Sequence, residues 1–368
     1  MSAARIGPAA SLRAALPIVA VLVFVVVSAG SLWAGALAGT LGYDFLAYQH
    51  AANRVVSGLP LYDPGIQQAG GFGLFLYPPP FVLLILPFAS LDPSVGTWIW
   101  TGLLLAAFVA GVVLTPVKPT VRWLVVLLAG LSWPFEYGLR LGQVGPLLFL
   151  LFAIGWRWVR DPRAVGGSAA IGALIKIQPG LLLAWAALTR RWGAVVIGVV
   201  ILAAAAVVAT LVAGGPTVWF DYFTILRNVS DPITTPHNFT PGAVAYQLGA
   251  SAVVATWIQV ISSVAVLVVV VLAALRASAA ASFLATVVAS QLLSPVLWDH
   301  YAMLLLLPVA FLLDRRQWWS AAIPLATSVF IIGIAPPVAY PIAFWVALVA
   351  VLAVGLREPP ETSPTRLS

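Results

Sequence analysis

Three polar clusters interrupt an otherwise apolar chain of 368 residues. Residues 42–62 carry Asp44, Tyr48, His50 and Arg54, residues 176–179 read Lys-Ile-Gln-Pro, and residues 294–301 read Ser-Pro-Val-Leu-Trp-Asp-His-Tyr. A carboxylate can take a proton from a hydroxyl, whereas an ammonium or imidazole can donate to a phosphate oxygen. Asp44 is thus a candidate general base, and Lys176 and His300 are candidate phosphate donors. Each also has an ordinary reading: Asp44 sits where an N-cap belongs, Lys176 can snorkel to an interface, and His300 can sit at the interface beside an Asp299 that caps the following helix. Asp161, Asp314, Glu358 and Glu361 fall beside arginines as loop charges. Asp44, Asp63, Asp221, Asp231 and Asp299 remain as external or interfacial candidates, with Glu136 and Asp92 unassigned.

Asp44 is presented by a short amphipathic helix. With Asp44 as N-cap, Gly58 at C′ and Pro60 barring continuation, the helix covers residues 45–57. Asp44, Tyr48 and Ala51 share one of its faces. It is too short and too polar to span a bilayer, so the rest of the chain must supply the membrane it lies on.

Composition supplies that membrane. Hydrophobic residues make up 62% and charged residues 8%, with a mean hydropathy of +1.05, which a solvated soluble domain does not reach. The net charge of +7 comes from short basic clusters of the kind that set membrane topology, and it does not indicate a nucleic-acid partner. The chain has no cysteine, which excludes disulfides and thiolate metal sites. No phosphate loop, zinc spacing or voltage-sensor array is present, which argues against an ATPase, a metalloprotease or a channel. No metal site and no cofactor are expected.

About twelve apolar runs lie between residues 16 and 356, several too short to cross unaided. They predict an all-α polytopic membrane protein with about 10–12 transmembrane helices, some re-entrant or short, plus external amphipathic helices. Arg5 and Arg13 place a cytoplasmic tail at 1–15. The integral unit is 16–356, with external loops at about 34–77 and 214–250, and 357–368 forms a disordered cytoplasmic tail. Arginines at both ends of 166–188 imply that this run is broken and re-entrant at residues 176–179, and 81–91 poses the same parity problem. The second external loop holds an aromatic helix around residues 219–223 and a proline-punctuated loop at 231–241.

Taken in order, Tyr43-Asp44-Phe45 with Tyr48, Gly-Leu-Pro-Leu-Tyr at 58–62, Tyr77-Pro78-Pro79, Gly142-Gln143, the 176–179 motif and the 294–301 motif resemble glycosyltransferase family 87. These are polyprenyl-phosphate-mannose-dependent α-(1→2)-mannosyltransferases with the C-class multi-spanning fold. The resemblance covers about residues 16–356. It places the catalytic aspartate on Asp44 and the donor-phosphate histidine on His300, and Tyr301 stands where many relatives carry a second histidine. It implies inverting transfer of mannose from a polyprenyl-phosphate donor to a glycolipid or lipoglycan acceptor. The active site would lie on the external side of the plasma membrane. Lys176 and Arg140 would assist His300 at the phosphate, and Tyr48, Tyr77, Gln143, Gln178, Trp298, Asp299 and Tyr301 would contact substrate. Two alternatives stay open: arabinofuranosyl transfer from a polyprenyl phosphate, and a non-enzymatic flippase or transporter for lipid-linked sugars.

Overall fold

The computed structural model describes residues 8–63, 65, 73–229, 231–334 and 336–358, the side chains of 8–13 excepted. The described residues are helical and contain no strand. In chain order the helices are α1 (Pro8–Leu37), α2 (Tyr43–Val56), α3 (Phe81–Ile85), α4 (Pro93–Leu114), α5 (Pro119–Gly130), α6 (Trp133–Leu141), α7 (Gly145–Arg157), α8 (Pro162–Ile175) and α9 (Leu181–Leu188). They continue as α10 (Trp192–Val212), α11 (Thr217–Val229), α12 (Pro241–Gln247), α13 (Ala252–Arg276), α14 (Ala279–Leu292), α15 (Leu306–Asp314), α16 (Ala322–Leu325), α17 (Val329–Ile332) and α18 (Ala339–Gly355).

Among the described residues, Ala14–Leu37 of α1 and the helices α4, α10 and α13 are long and apolar enough to cross a membrane singly, and α5 with α6 forms a fifth candidate bent by 67°. Val and Leu side chains on α10 and α13 stay exposed, Leu211 at 78% and Val253 at 68%, as lipid-facing residues do. By contrast, α14 is buried at every position but Ala280, and α15 at every position but Asp314. A helix surrounded by protein need not match the bilayer thickness, so α14 and α15, packed against α18 and other helices, can be short.

Local chemistry sets where the helices start and stop. Asp92 caps α4 by accepting from Ser94 N at 2.9 Å and Val95 N at 3.2 Å, with Pro93 at N1. Asp161 caps α8 in the same way. The far end of α8 is dictated by Pro179, whose ring would clash with the Ile175 carbonyl four residues back. Lys176 is accordingly extended, at φ −140° and ψ 140°.

The broken hairpin expected at 166–188 is present. Pro179 folds back onto Gly172, where a Cβ would meet the proline at 2.8 Å. Beyond α9, Arg191 donates to the Val159 carbonyl just before α8. Both ends of the hairpin therefore meet, and Lys176 rides near its tip. The 81–91 run does not cross either. It lies along α2, with Gln49 Nε2 donating to the Phe88 carbonyl at 2.9 Å and the Leu91 carbonyl at 3.0 Å.

One end of the molecule gathers the basic groups. Arg157 donates to the Leu114 carbonyl at 3.4 Å, Lys118 N to Asp314 Oδ1 at 3.0 Å, and Arg315 pairs with Glu358. Glu358, expected within a tail from 357, is thus tied to α15, and Ser278 at the start of α14 donates to it as well. Helix α1 begins at Pro8, inside the expected 1–15 tail. Residues 1–7 and 359–368 of the two expected tails lie outside the described residues. Helices α7, α8, α9, α14 and α15 all run between this basic end and an opposite end that holds a cavity of about 730 Å³.

Candidate active site

Asp44 reaches the cavity because two glycines turn the chain tightly around it. Gly42 precedes α2 in the left-handed region at φ 73°, and a Cβ there would strike Thr97 Cγ2 at 2.5 Å. Its N–H donates to the Arg140 carbonyl at 2.8 Å. Gly142, left-handed at φ 76°, closes α6, and a Cβ there would meet Phe45 Cβ at 2.8 Å. Trp100 Nε1 donates to the Gly142 carbonyl at 2.8 Å, and the Trp100 ring stacks on Phe45 at 5.5 Å. The α6–α7 joint is thereby pinned against α2.

Asp44 is not the N-cap expected for α2. The helix starts at Tyr43, with Gly42 at the cap position and no side-chain capping bond. The carboxylate instead accepts Gln143 Nε2 at 2.6 Å. The other end of the same amide, Gln143 Oε1, accepts from Tyr77 Oη at 3.0 Å and from Lys176 Nζ at 3.5 Å. Tyr48 Oη pairs with Tyr77 Oη at 2.6 Å. Lys176 does not snorkel to the basic end. Its ammonium lies 4.0 Å from the Tyr301 ring centroid and 5.4 Å from that of Tyr77.

Burial pushes the Asp44 carboxyl above its ordinary value of 3.8, and nearby Asp299 adds to that. His300, the Gln143 hydrogen bond and Lys176 pull the other way.

The 294–301 segment forms the opposite wall. Gln178 Nε2 donates to Ser294 Oγ at 2.9 Å, which donates onward to the Val296 carbonyl at 2.6 Å. Asp299 does not cap a following helix through its side chain. Its Oδ1 accepts from the His300 backbone N–H at 2.7 Å and lies 3.4 Å from His300 Nδ1. His300 Nε2 is buried with no hydrogen-bond partner among the described residues. A buried polar atom of this kind signals a missing partner, here on a side chain that lines the cavity.

Of the residues expected from sequence, Asp44, Tyr77, Gln143, Lys176, Gln178, Trp298, Asp299, His300 and Tyr301 all line the cavity. Tyr48 stands one layer behind, buried under Tyr77 and Phe81. Arg140 is not among the lining residues. On α6 it is Tyr137 and Leu141, one turn apart, that face the cavity, which turns Arg140 toward α1. There its guanidinium donates to Thr40 Oγ1 and packs on Gly35.

Sequence reasoning missed Tyr43, Tyr137, Tyr222, Thr235 and His237, which also line the cavity. The last three fall in the aromatic helix and proline-punctuated loop of the second external segment, so the segment was visible although its individual roles were not. That loop is clamped by the fully buried Asn238. Asn238 Nδ2 donates to the Pro295 carbonyl at 3.0 Å, and Oδ1 accepts from Leu297 N at 2.9 Å and Thr240 N at 3.0 Å. The neighbouring His237 adopts φ 58°, unusual for a residue with a Cβ.

A carboxylate, an ammonium and an imidazole converge on one cavity of a helical membrane protein, the groups that a site for group transfer beside a lipid phase would need. Residues 75–297 match the model of glycosyltransferase family 87, and the chain belongs to that family. The chain is 27% identical over 315 residues to a polyprenol-phosphate-mannose-dependent alpha-(1-2)-phosphatidylinositol mannoside mannosyltransferase from Mycobacterium tuberculosis. That alignment covers 77% of this chain and 72% of the relative. No solved structure matches the chain. The family match contains Tyr77, Gln143, Lys176 and Gln178, begins after Asp44 and ends before His300.

Proposed function

We propose that the chain transfers a mannosyl residue, with inversion, from a polyprenyl-phosphate donor to a hydroxyl of an envelope glycolipid or lipoglycan on the external side of the plasma membrane. The observation that carries this reading is the Gln143 amide, which holds Asp44 at one end and Lys176 at the other. A base for the acceptor and a cation for the leaving phosphate thus stand one amide apart. The named activity of the Mycobacterium tuberculosis relative supports the donor and the α-linked product.

In this reading the acceptor oxygen attacks the anomeric carbon from the face opposite the phosphate. Its proton passes to Asp44, and the carbon–oxygen bond to phosphate breaks with both electrons leaving on the polyprenyl phosphate. A β-linked donor then yields an α-linked product. The departing phosphate is a stable anion, so the site must supply donors and needs no strong acid. Lys176 and His300 Nε2 fill that role. Gln178, Trp298, Asp299 and Tyr301 would shape the sugar subsite. The gathering of Lys118, Arg157 and Arg315 at the end away from the cavity supports an external site through the positive-inside rule.

The test is transfer of labelled mannose from polyprenyl-phosphate-mannose by membranes expressing the wild type, Asp44→Asn or His300→Ala. Transfer by the wild type, with near-complete loss in Asp44→Asn at equal abundance, is expected. Transfer of arabinofuranose and not mannose would correct the donor. Lipid-linked sugar translocation without transfer of either sugar would overturn the enzyme reading.

A further inference from the structure

A side-chain amide presents a donor at one end and an acceptor of the same shape at the other, so its orientation decides whether a neighbouring carboxylate is stabilised or repelled. At Gln143 that choice is made by its surroundings. Tyr77 Oη and Lys176 Nζ both donate to Oε1, leaving Nε2 to face Asp44. Lys176 can only donate, so its place beside Oε1 fixes the amide; Tyr77 then gives its proton to Oε1, and its oxygen is left to receive the Tyr48 hydroxyl at 2.6 Å. The donors therefore run in one direction, from Tyr48 to Tyr77 to Gln143 to Asp44. This circuit begins and ends on α2, because Tyr48 and Asp44 stand one turn apart on that helix. The Gln143 backbone is also fixed, its N–H donating to the Gly138 carbonyl at 2.9 Å.

We propose that Gln143 is the positioning residue for the base, and that Tyr77 and Tyr48 act through it, so that these groups without chemistry of their own set both the aim and the basicity of Asp44. The inference rests on Asp44 being the base. Other charged or titratable groups that act on Asp44 are Lys176 from the break after α8, and His300 and Asp299 from the 299–305 segment. Asp44 in turn acts on the phenols of Tyr137 and Tyr301. None of these donates to the Asp44 carboxylate in the bonds seen here, whereas Gln143 does. Loss of that donor favours the protonated carboxyl, which raises the pH at which the base becomes available.

The experiment is the pH dependence of kcat/KM for labelled sugar transfer in the wild type, Gln143→Leu, Tyr77→Phe, Tyr48→Phe and Asp44→Asn. Gln143→Leu is expected to lose about tenfold to a hundredfold in kcat, with the acid limb rather than donor KM as the diagnostic, because the same amide also accepts from Lys176. Its acid limb should move up by about one pH unit. Tyr77→Phe keeps the ring and should shift the limb the same way by less, and Tyr48→Phe by least. If Gln143→Leu does not accumulate in membranes, Tyr77→Phe carries the test. An unmoved acid limb in Gln143→Leu and Tyr77→Phe, with Asp44→Asn inactive, overturns the positioning role. Activity retained in Asp44→Asn overturns the base assignment instead, so the two failures are distinguishable.

Discussion

The two ends of this molecule treat charge in opposite ways. At the basic end, ions are matched with ions at the surface: Lys118 with Asp314, and Arg315 with Glu358, which Ser278 also contacts. At the cavity end, Asp44 and Lys176 make no direct pair: the neutral Gln143 amide bridges them, Tyr77 donates to that amide, and the Lys176 ammonium lies over the Tyr301 ring. Surface pairs contribute little, because solvent already satisfies each ion. Ions held apart near protein walls stay available to a substrate, and the fold bears the cost of desolvating them. The difference predicts that substitutions at the cavity end change catalysis, whereas those at the basic end change almost nothing.

The largest effect is expected at Asp44. Asp44→Asn should reduce sugar transfer by about a hundredfold to ten-thousandfold, measured with labelled donor in membranes. It should leave thermal stability in detergent equal or higher. The sign follows from linkage: a carboxyl raised in the folded state holds its proton over a pH window in which the unfolded chain has released it. Stability therefore falls as pH rises through that window. Asparagine removes that penalty and can still accept from Gln143. With Asp44 as the proposed base, wild-type activity would need the ionised form, so the acid limb of kcat/KM should lie above the ordinary carboxylate value of 3.8.

Next in size, Lys176→Met should cost about a hundredfold to a thousandfold in transfer. This matched pair sharpens the comparison, because Lys118→Ala removes the same charge at the other end and should leave transfer unchanged. If Lys118→Ala proved equally damaging, the contrast between the ends would fail. Asn238→Ala should act on stability first. It strands the N–H groups of Thr240 and Leu297 and the Pro295 carbonyl, with about 1–3 kcal/mol lost for each group left unsatisfied. A thermal melt in detergent reads this out. The smallest effect belongs to Lys118→Ala itself. Its side chain is 67% exposed, and the change in stability should stay below about 1 kcal/mol.

Much of this site was legible in the sequence because polar residues are so rare in the chain. Asp44, Lys176 and His300 stand out against apolar neighbours, and all three line the cavity. Pro179 made the break in the 166–188 run readable, since its effect on the preceding carbonyl is local. What sequence could not provide is partner choice across long separations. Gln143 lies far along the chain from Asp44, and nothing nearby in sequence marks the two as bonded. The N-cap reading of Asp44 fails because the helix already starts at Tyr43 after a left-handed Gly42, whose N–H is held by the Arg140 carbonyl and whose position beside Thr97 has no room for a Cβ, contacts from other helices. Arg140 was placed at the phosphate for want of the helical phase of α6, in which Tyr137 and Leu141 take the cavity face. His237 was invisible for a related reason, its backbone angle being imposed beside the Asn238 clamp.

The hairpin of α8 and α9 has a consequence for how the protein is made. Neither helix is long enough to cross a membrane alone, and their tip carries an ammonium. Helix α8 finds its main companion only in α10, against which Gly166 packs so closely that a Cβ would meet the Ala194 carbonyl at 2.4 Å. Gln178 at the tip finds Ser294 later still. A growing chain that stops short of α10 therefore has only the earlier α7 and its own α9 for α8 to pack against, and Lys176 lacks the Tyr301 ring that it lies over in the finished fold. Synthesis and seating follow different orders, so the residue that would meet the donor phosphate is made mid-chain but locked in place only after the C-terminal third has been inserted.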